Sequence, residues 1–178
     1  MACIVVAGIA VHITDGMDSN DIRTVNVHQS GRLDDAIVTV TDVRAGTRVE
    51  LGEDELYSSK GMIIAATVRL EAPGRKYTVG GLNSTTLHSG DRSYASFGPN
   101  ATLSAEAGFA TTGDVLFEVD PQHIEGAYIE LYDAEFIYLV PQKLHVRLGI
   151  TTRNAAKWVA SAKGRTLTVD EAESEPLR

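Results

Sequence analysis

Apolar and polar side chains alternate along most of this 178-residue chain, and this period of two constrains its fold more than any other feature. The clearest run is residues 62–70 (MIIAATVRL), in which every second residue is apolar and Ile63 and Ala65 make the opposite face apolar as well. Successive side chains of a strand point to opposite faces of its sheet. The run therefore predicts a central strand that is covered on both sides.

Shorter runs of the same kind recur along the chain, with turn residues between them. Ser89-Gly90-Asp91 predicts the turn of a hairpin, Thr112-Gly113-Asp114 a turn before the next strand, and Asp120-Pro121 the end of that strand. Many short strands at this spacing are typical of a β-sandwich or barrel. The further strands are predicted around Val25 and Val27 and at Ile37–Val43, Val115–Val119, Ala127–Leu131, Phe136–Val140, Leu144–Ile150 and Thr166–Val169.

One segment departs from the strand pattern. Ala155, Trp158, Val159 and Ala162 are spaced at i, i+3, i+4 and i+7, between Asn154 and Gly164. This spacing predicts a short amphipathic helix with an N-cap and a C′ glycine, lying over one end of the β-structure. We expect a compact domain over residues 24–169, followed by a frayed acidic tail over 170–178.

The N-terminus is apolar and is separated from this domain by a polar linker, residues 14–23. As a helix, residues 1–13 would reach about 20 Å, short of the roughly 30 Å of a bilayer core. No basic region precedes the run, so it does not read as a secretory signal. We predict the outer end of a membrane anchor whose beginning is missing, although Val and Ile also favour a buried first strand. The anchor residues are Cys3, Ile4, Val5, Val6, Ile9 and Val11.

Composition excludes several classes of protein. With 43% apolar residues the chain is not disordered, and a net charge of −8 argues against a nucleic-acid partner. The single cysteine excludes an internal disulfide framework and a multi-cysteine zinc site.

The sequence offers little that predicts catalysis. G-x-S-x-G is absent, and His88 and Ser89 are neighbours that would point to opposite faces of a strand. Asp120, His123 and Glu125 form a candidate metal site, although the interpretation we favour for this segment is a solvated loop. We therefore predict no enzyme activity, metal or cofactor, while a hydrolase with two distant carboxylates stays open.

Aromatic residues cluster near the end of the predicted domain. Tyr128, Tyr132, Phe136 and Tyr138 fall within eleven residues, and the first two lie opposite the apolar face of Ile129. If exposed, this face would give a partner rigid amphipathic anchors. The alternative, which we favour, is that a second sheet or the Trp158 helix covers it, since sandwiches commonly carry aromatic residues inside.

Residues 33–131 resemble a known family. Four segments follow one another in the order of the motifs of this family. They are the strand AIVTVTDV, the segment Lys60-Gly61 before MIIAATVRL, the stretch LNSTTLHSGDRSY and the stretch GFATTGDVLFEVDP. They resemble the immunoglobulin-like secreted domains of the telokin-like, mycobacterial-immunogenic-protein type. The match departs from the family pattern at residues 72–76 and does not extend beyond Asp133.

The resemblance implies an immunoglobulin-like antiparallel β-sandwich outside the cytoplasm. Members of this family are free or tethered by an N-terminal anchor, commonly in Gram-positive and actinobacterial envelopes, and share no catalytic activity. We expect a non-catalytic interaction module, held at the cell membrane by its N-terminus and partnered with an integral membrane or envelope protein. Binding of a small ligand or glycan is the alternative.

Overall fold

A computed structural model of the protein describes residues 22–51, 54–80, 85–132 and 142–178. Within these residues there is one helix among many strands, so the predicted all-β class is confirmed. The strands are β1 (Ile22–Asn26), β2 (Ser30–Leu33), β3 (Ala36–Leu51), β4 (Asp54–Ala72), β5 (Tyr77–Gly80), β6 (Thr85–Ser89), β7 (Arg92–Phe97), β8 (Thr102–Ala105), β9 (Phe109–Val119), β10 (Tyr128–Tyr132), β11 (Lys143–Arg147), β12 (Thr166–Val169) and β13 (Glu173–Pro176), and the helix is α1 (Ala155–Ala162).

One large sheet holds most of the strands. Its order is β1-β11-β10-β6-β7-β9-β4-β3-β12, with β2 also paired to β3 and β13 to β9, while β5 and β8 form a separate pair. Most neighbours are antiparallel, but β1 runs parallel to β11, and β12 runs parallel to β3.

The turn between β1 and β2 brings the far parts of this sheet together. The Val27 N–H donates to the carbonyl of Arg147 on β11 at 3.3 Å, and the His28 N–H donates to that of Val40 on β3 at 2.8 Å. Gly31 of β2 lies so close to Leu144 of β11 that an added Cβ would come within 2.3 Å of the leucine side chain. The sheet is therefore nearly closed and barrel-like, and the immunoglobulin-like sandwich stays a prediction.

Strand β4 lies between β3 and β9 and is covered on both faces, as its sequence predicts. Met62 and the alternate residues after it belong to the main core, whereas Ile63 and Ala65 join a smaller cluster with Leu116 and Leu167 on the other side. The hairpin at Ser89-Gly90-Asp91 and the stop after Val119 are also confirmed.

Helix α1 begins and ends where the sequence predicts. Ala162 is buried, and Trp158 packs partly buried against the main core, while Gly164 adopts φ +72° in the C′ position. Asn154 differs from the expected N-cap, because its side chain accepts a hydrogen bond from Thr151 N–H outside the helix and donates to Gly149. In the described residues, no helix is long and apolar enough to cross a membrane.

Three local predictions differ from the structure. The turn expected at Thr112-Gly113-Asp114 is an uninterrupted part of β9, where Gly113 leaves room for the side chains of Leu103 and Asn100 rather than turning the chain. The tail expected to fray contains β13, which pairs with residues 109–112 of β9. The N-terminal linker also ends earlier than predicted, because β1 begins at Ile22.

Candidate functional site

Three adjacent strands carry a polar, aromatic surface on the side opposite the core. The inward residues of β6, β10 and β11, among them Leu87, Ile129 and Leu144, are fully buried. The outward residues are only half-buried. We call this surface the histidine–tyrosine face, and its members are His88, Tyr128, Glu130, Tyr132, Lys143 and His145.

Tyr128 lies at the centre of this face, between two histidine rings. Its ring stacks on that of His88 with centroids 5.1 Å apart, and the His145 ring lies tilted against it at 4.5 Å. Strand register explains the arrangement, because Tyr128 stands opposite His88 and diagonal to His145. Contacts with both rings hold the phenol in one orientation, and its hydroxyl group is the polar group that it can offer to a partner.

Glu130, two residues along β10, links the charged groups of the face. It accepts hydrogen bonds from His145 Nε2 at 2.8 Å and Lys143 Nζ at 3.2 Å. Burial acts to raise the pKa of Glu130, but the hydrogen bonds from His145 and Lys143 outweigh it and hold the pKa below its usual value. The Lys143 ammonium also lies 5.8 Å from the centre of the Tyr132 ring.

Ser93 of β7 approaches the same cluster from the neighbouring strand. Its hydroxyl lies 3.0 Å from His88 Nδ1, and His88 Nε2 lies 3.7 Å from Glu130 Oε1. The second distance is too long for a hydrogen bond, so Ser93, His88 and Glu130 do not form a hydrogen-bonded catalytic triad. Ser89 points the other way, as its position next to His88 predicts, and donates to the carbonyl of Glu125.

A cleft of about 470 Å³ opens beside Tyr128. Tyr128, His145 and Arg147 line one part of it, and Thr24 and Asn26 of β1 line another. Arg147 is exposed and forms no ion pair with a described residue. The cleft thus joins an aromatic wall to a free cation and small polar groups, which is the mixture that small-ligand sites use.

Helix α1 does not cover the histidine–tyrosine face, contrary to one alternative considered above. It packs on β3 and β4 instead. Tyr128 and Tyr132 therefore share the outer face as predicted, whereas Phe136, Tyr138 and the anchor residues (Cys3, Ile4, Val5, Val6, Ile9 and Val11) lie outside the described residues.

The acidic residues of the candidate metal site, Asp120 and Glu125, form hydrogen bonds and ion pairs with other protein groups. His123 Nδ1 and an Arg92 nitrogen lie 3.0 and 2.5 Å from Asp120 Oδ2, and the Gln122 N–H donates to Oδ1. These contacts, led by the Gln122 N–H, lower the pKa of Asp120. Glu125 is turned away and accepts a hydrogen bond from Thr152. In the described part of the chain, no three His, Cys, Asp or Glu residues form a group that could hold a metal ion.

Sequence reasoning missed His88, Ser93, Lys143 and His145 as members of one surface. They are distant along the chain, and only the register of β6, β7, β10 and β11 brings them together. A usable signal was the alternation of His145 with buried Leu144 and Val146, which marks it as outward-facing.

Comparison with known proteins gives a fold neighbour and no family. No family model matches this chain, and no curated protein is significantly similar to it. The chain is similar to a solved structure from Bacillus subtilis described as a "putative lipoprotein (ycdA)", with 17% sequence identity and a TM-score of 0.50. The match covers 74% of this chain and 41% of the Bacillus subtilis chain. At this identity the similarity concerns the fold alone.

Proposed function

We propose that this protein is a non-catalytic interaction module that works outside the cytoplasm, next to a membrane. It binds an envelope or integral membrane protein through the histidine–tyrosine face. The observation that carries the proposal is the position of Tyr128, held between His88 and His145 on a face that α1 leaves uncovered. A preordered aromatic residue with a polar rim is the usual centre of a binding hot spot.

Two further observations support the location. The apolar residues 3–11 are compatible with an anchor, and the described fold resembles that of a protein called a lipoprotein. The sequence resemblance also implies an immunoglobulin-like domain outside the cytoplasm, and this agrees with the proposed location. An integral membrane or envelope protein is the partner expected on this basis.

Affinity measurements test the proposal. A partner isolated from detergent extracts of the source cells by cross-linking would be purified and titrated by calorimetry against wild type, Tyr128→Ser and Tyr57→Ser. Tyr57 is a matched control, being a tyrosine that is 37% exposed on another part of the sheet. Loss of a hot-spot tyrosine costs about 2 kcal/mol, or roughly 30-fold in affinity. Equal affinities of wild type and Tyr128→Ser would refute the proposal.

Small-ligand binding is the second candidate, favoured by the cleft beside Tyr128. Its volume of about 470 Å³ is in the range of small-molecule sites. Thr151→Val distinguishes the two functions, because Thr151 lines the cleft from the segment before α1 and lies outside the three strands of the histidine–tyrosine face. A ligand that loses affinity in Thr151→Val while the protein partner keeps it would assign the cleft its own role.

A further inference from the structure

The cations of this acidic protein are concentrated in one segment. Residues 142–169 contain six lysines and arginines and no aspartate or glutamate, although the whole chain has a net charge of −8. The segment includes β11, α1 and β12. Four of its cations, Arg153, Lys157, Lys163 and Arg165, are exposed on or beside α1.

These four cations lack carboxylate partners, unlike several other cations of the chain. Elsewhere, Arg69 pairs with Glu175, Arg75 with Asp34, Lys76 with Glu106 and Arg92 with Asp120. Within the described chain, Arg153, Lys157, Lys163 and Arg165 form no ion pair. Their charge is therefore available to an external anion.

A groove between α1 and β3 collects two of these cations around the only tryptophan of the chain. The groove has a volume of about 300 Å³ and is lined by Arg44, Asn154, Lys157, Trp158, Ser161 and Arg165, among others. We call it the Trp158 groove. Trp158 packs on the core yet stays partly exposed, and its indole N–H has no hydrogen-bond partner in the described residues.

The walls of this groove are fixed by the backbone. The Arg165 carbonyl accepts hydrogen bonds from the N–H groups of Thr47 and Arg48 at 2.9 and 3.3 Å. Gly46 permits this approach, because an added Cβ would lie 2.7 Å from the Arg165 carbonyl oxygen. The two cations and the indole are thus presented from rigid elements, which lowers the ordering cost of binding.

We infer that the Trp158 groove binds an acidic saccharide. A sugar ring offers an apolar face that can lie against the indole and hydroxyls that can bond to its N–H and to Ser161. A carboxylate or phosphate on the sugar pairs with Lys157 and Arg165. The site is separate from the histidine–tyrosine face and does not depend on the function proposed for that face.

Tryptophan fluorescence reads this groove directly, since Trp158 has no second tryptophan to mask it. The purified full chain is titrated with a tetrasaccharide of galacturonic acid and with a phosphodiester-linked glucose oligomer, which distinguish carboxylate from phosphate. Three further probes are used. Maltotetraose is a neutral saccharide, inorganic polyphosphate is an anion without a sugar ring, and phosphatidylglycerol vesicles are an anionic membrane. The inference predicts a saturable emission change with at least one acidic saccharide and a markedly weaker change with all three other probes.

Charge reversal locates the binding. Lys157→Glu and Arg165→Glu should each weaken it about tenfold, in line with loss of a charge-assisted contact. Arg32→Glu and Lys60→Glu are matched controls, because both residues are exposed cations outside the groove, and they should bind within twofold of wild type. Trp158→Leu, followed by calorimetry, should lose binding while keeping an apolar side chain on the core.

Three results would overturn the inference. The first is the absence of a saturable emission change with either acidic saccharide. The second is that polyphosphate or the vesicles bind as well as the acidic saccharide. The third is that Lys157→Glu and Arg165→Glu bind the acidic saccharide as well as wild type does. The charge-reversal variants keep the test decisive if Trp158→Leu fails to fold, because Lys157 and Arg165 are exposed and their side chains form no hydrogen bond or ion pair with a described residue.

Discussion

The carboxylate of Glu130 and the imidazole of His145 face each other across β10 and β11, with Oε2 and Nε2 2.8 Å apart. The same carboxylate accepts a hydrogen bond from Lys143, and only 13% of the Glu130 side chain is exposed. This one group therefore keeps two outward side chains in place, His145 beside Tyr128 and Lys143 beside Tyr132.

Replacement of Glu130 by Gln tests that role. A hydrogen bond to a buried charged group contributes about 1.5–3 kcal/mol, so Glu130→Gln should lower the free energy of unfolding in urea by about 2 kcal/mol. Glu106→Gln is the matched control, because Glu106 forms an exposed pair with Lys76 and such pairs contribute below about 1 kcal/mol. Equal losses in the two variants would contradict the role given to Glu130.

Stability should also fall in acid through the same group. The pKa of Glu130 is lower in the folded protein than in the unfolded chain, so its contribution is present above the unfolded value of about 4.3. That contribution is lost as the pH falls through the lower folded value. The difference in unfolding free energy between wild type and Glu130→Gln should therefore narrow as the pH falls from about 5 through the unfolded value and towards the lower folded value. A constant difference across this range would show that the charge of Glu130 is not involved.

Closure of the sheet depends on Gly31. In Gly31→Ala the new methyl group would overlap the side chain of Leu144, which is fully buried. Overpacking of this kind costs about 1–3 kcal/mol, measured as a shift of the urea midpoint. Gly74→Ala is the control, since nothing lies within 4 Å of its added Cβ, and it should change stability little. An unaffected Gly31→Ala would mean that β2 and β11 are not in contact.

The C-terminal strand should protect one end of β9. Removal of residues 173–178 takes away the pairing of β13 with residues 109–112, the hydroxyl contact of Thr111 with Ser174 and the ion pair of Arg69 with Glu175. Amide hydrogen exchange should accelerate in residues 109–112 and stay unchanged in 115–119, which pair with β4 and β7. Unchanged exchange at both places would support the frayed tail that the sequence predicts.

The strands and the helix that bury an apolar face could be predicted from sequence because burial leaves a periodic pattern. Residues 62–70 and α1 follow that pattern, and both are where it predicts. Strand β13 has no such signal, since all four of its residues are exposed and backbone pairing holds it. Gly113 resembles a turn residue in the sequence but serves close packing in β9, and local sequence does not distinguish the two uses.

The candidate site was less predictable than the fold. Alternation placed Tyr128 and Tyr132 on the face opposite Ile129, and this is confirmed. The histidines that enclose Tyr128 depend on which residues of three strands stand opposite one another, and register is not readable from a single strand. The Trp158 groove could be predicted in part from the sequence, because a simple count of charges along the chain separates residues 142–169 from the rest.

The most direct test of the central claim is photo-cross-linking in the source cells. A benzoylphenylalanine residue replaces Tyr132 in one variant of the full chain and Tyr57 in a control variant. If the histidine–tyrosine face binds the partner, position 132 should give a cross-link to one envelope or integral membrane protein, and this product should be lost when Tyr128→Ser is added. Position 57 should give no such product. The absence of a product from position 132, the same product from both positions, or a yield unaffected by Tyr128→Ser would show that this face does not bind the partner.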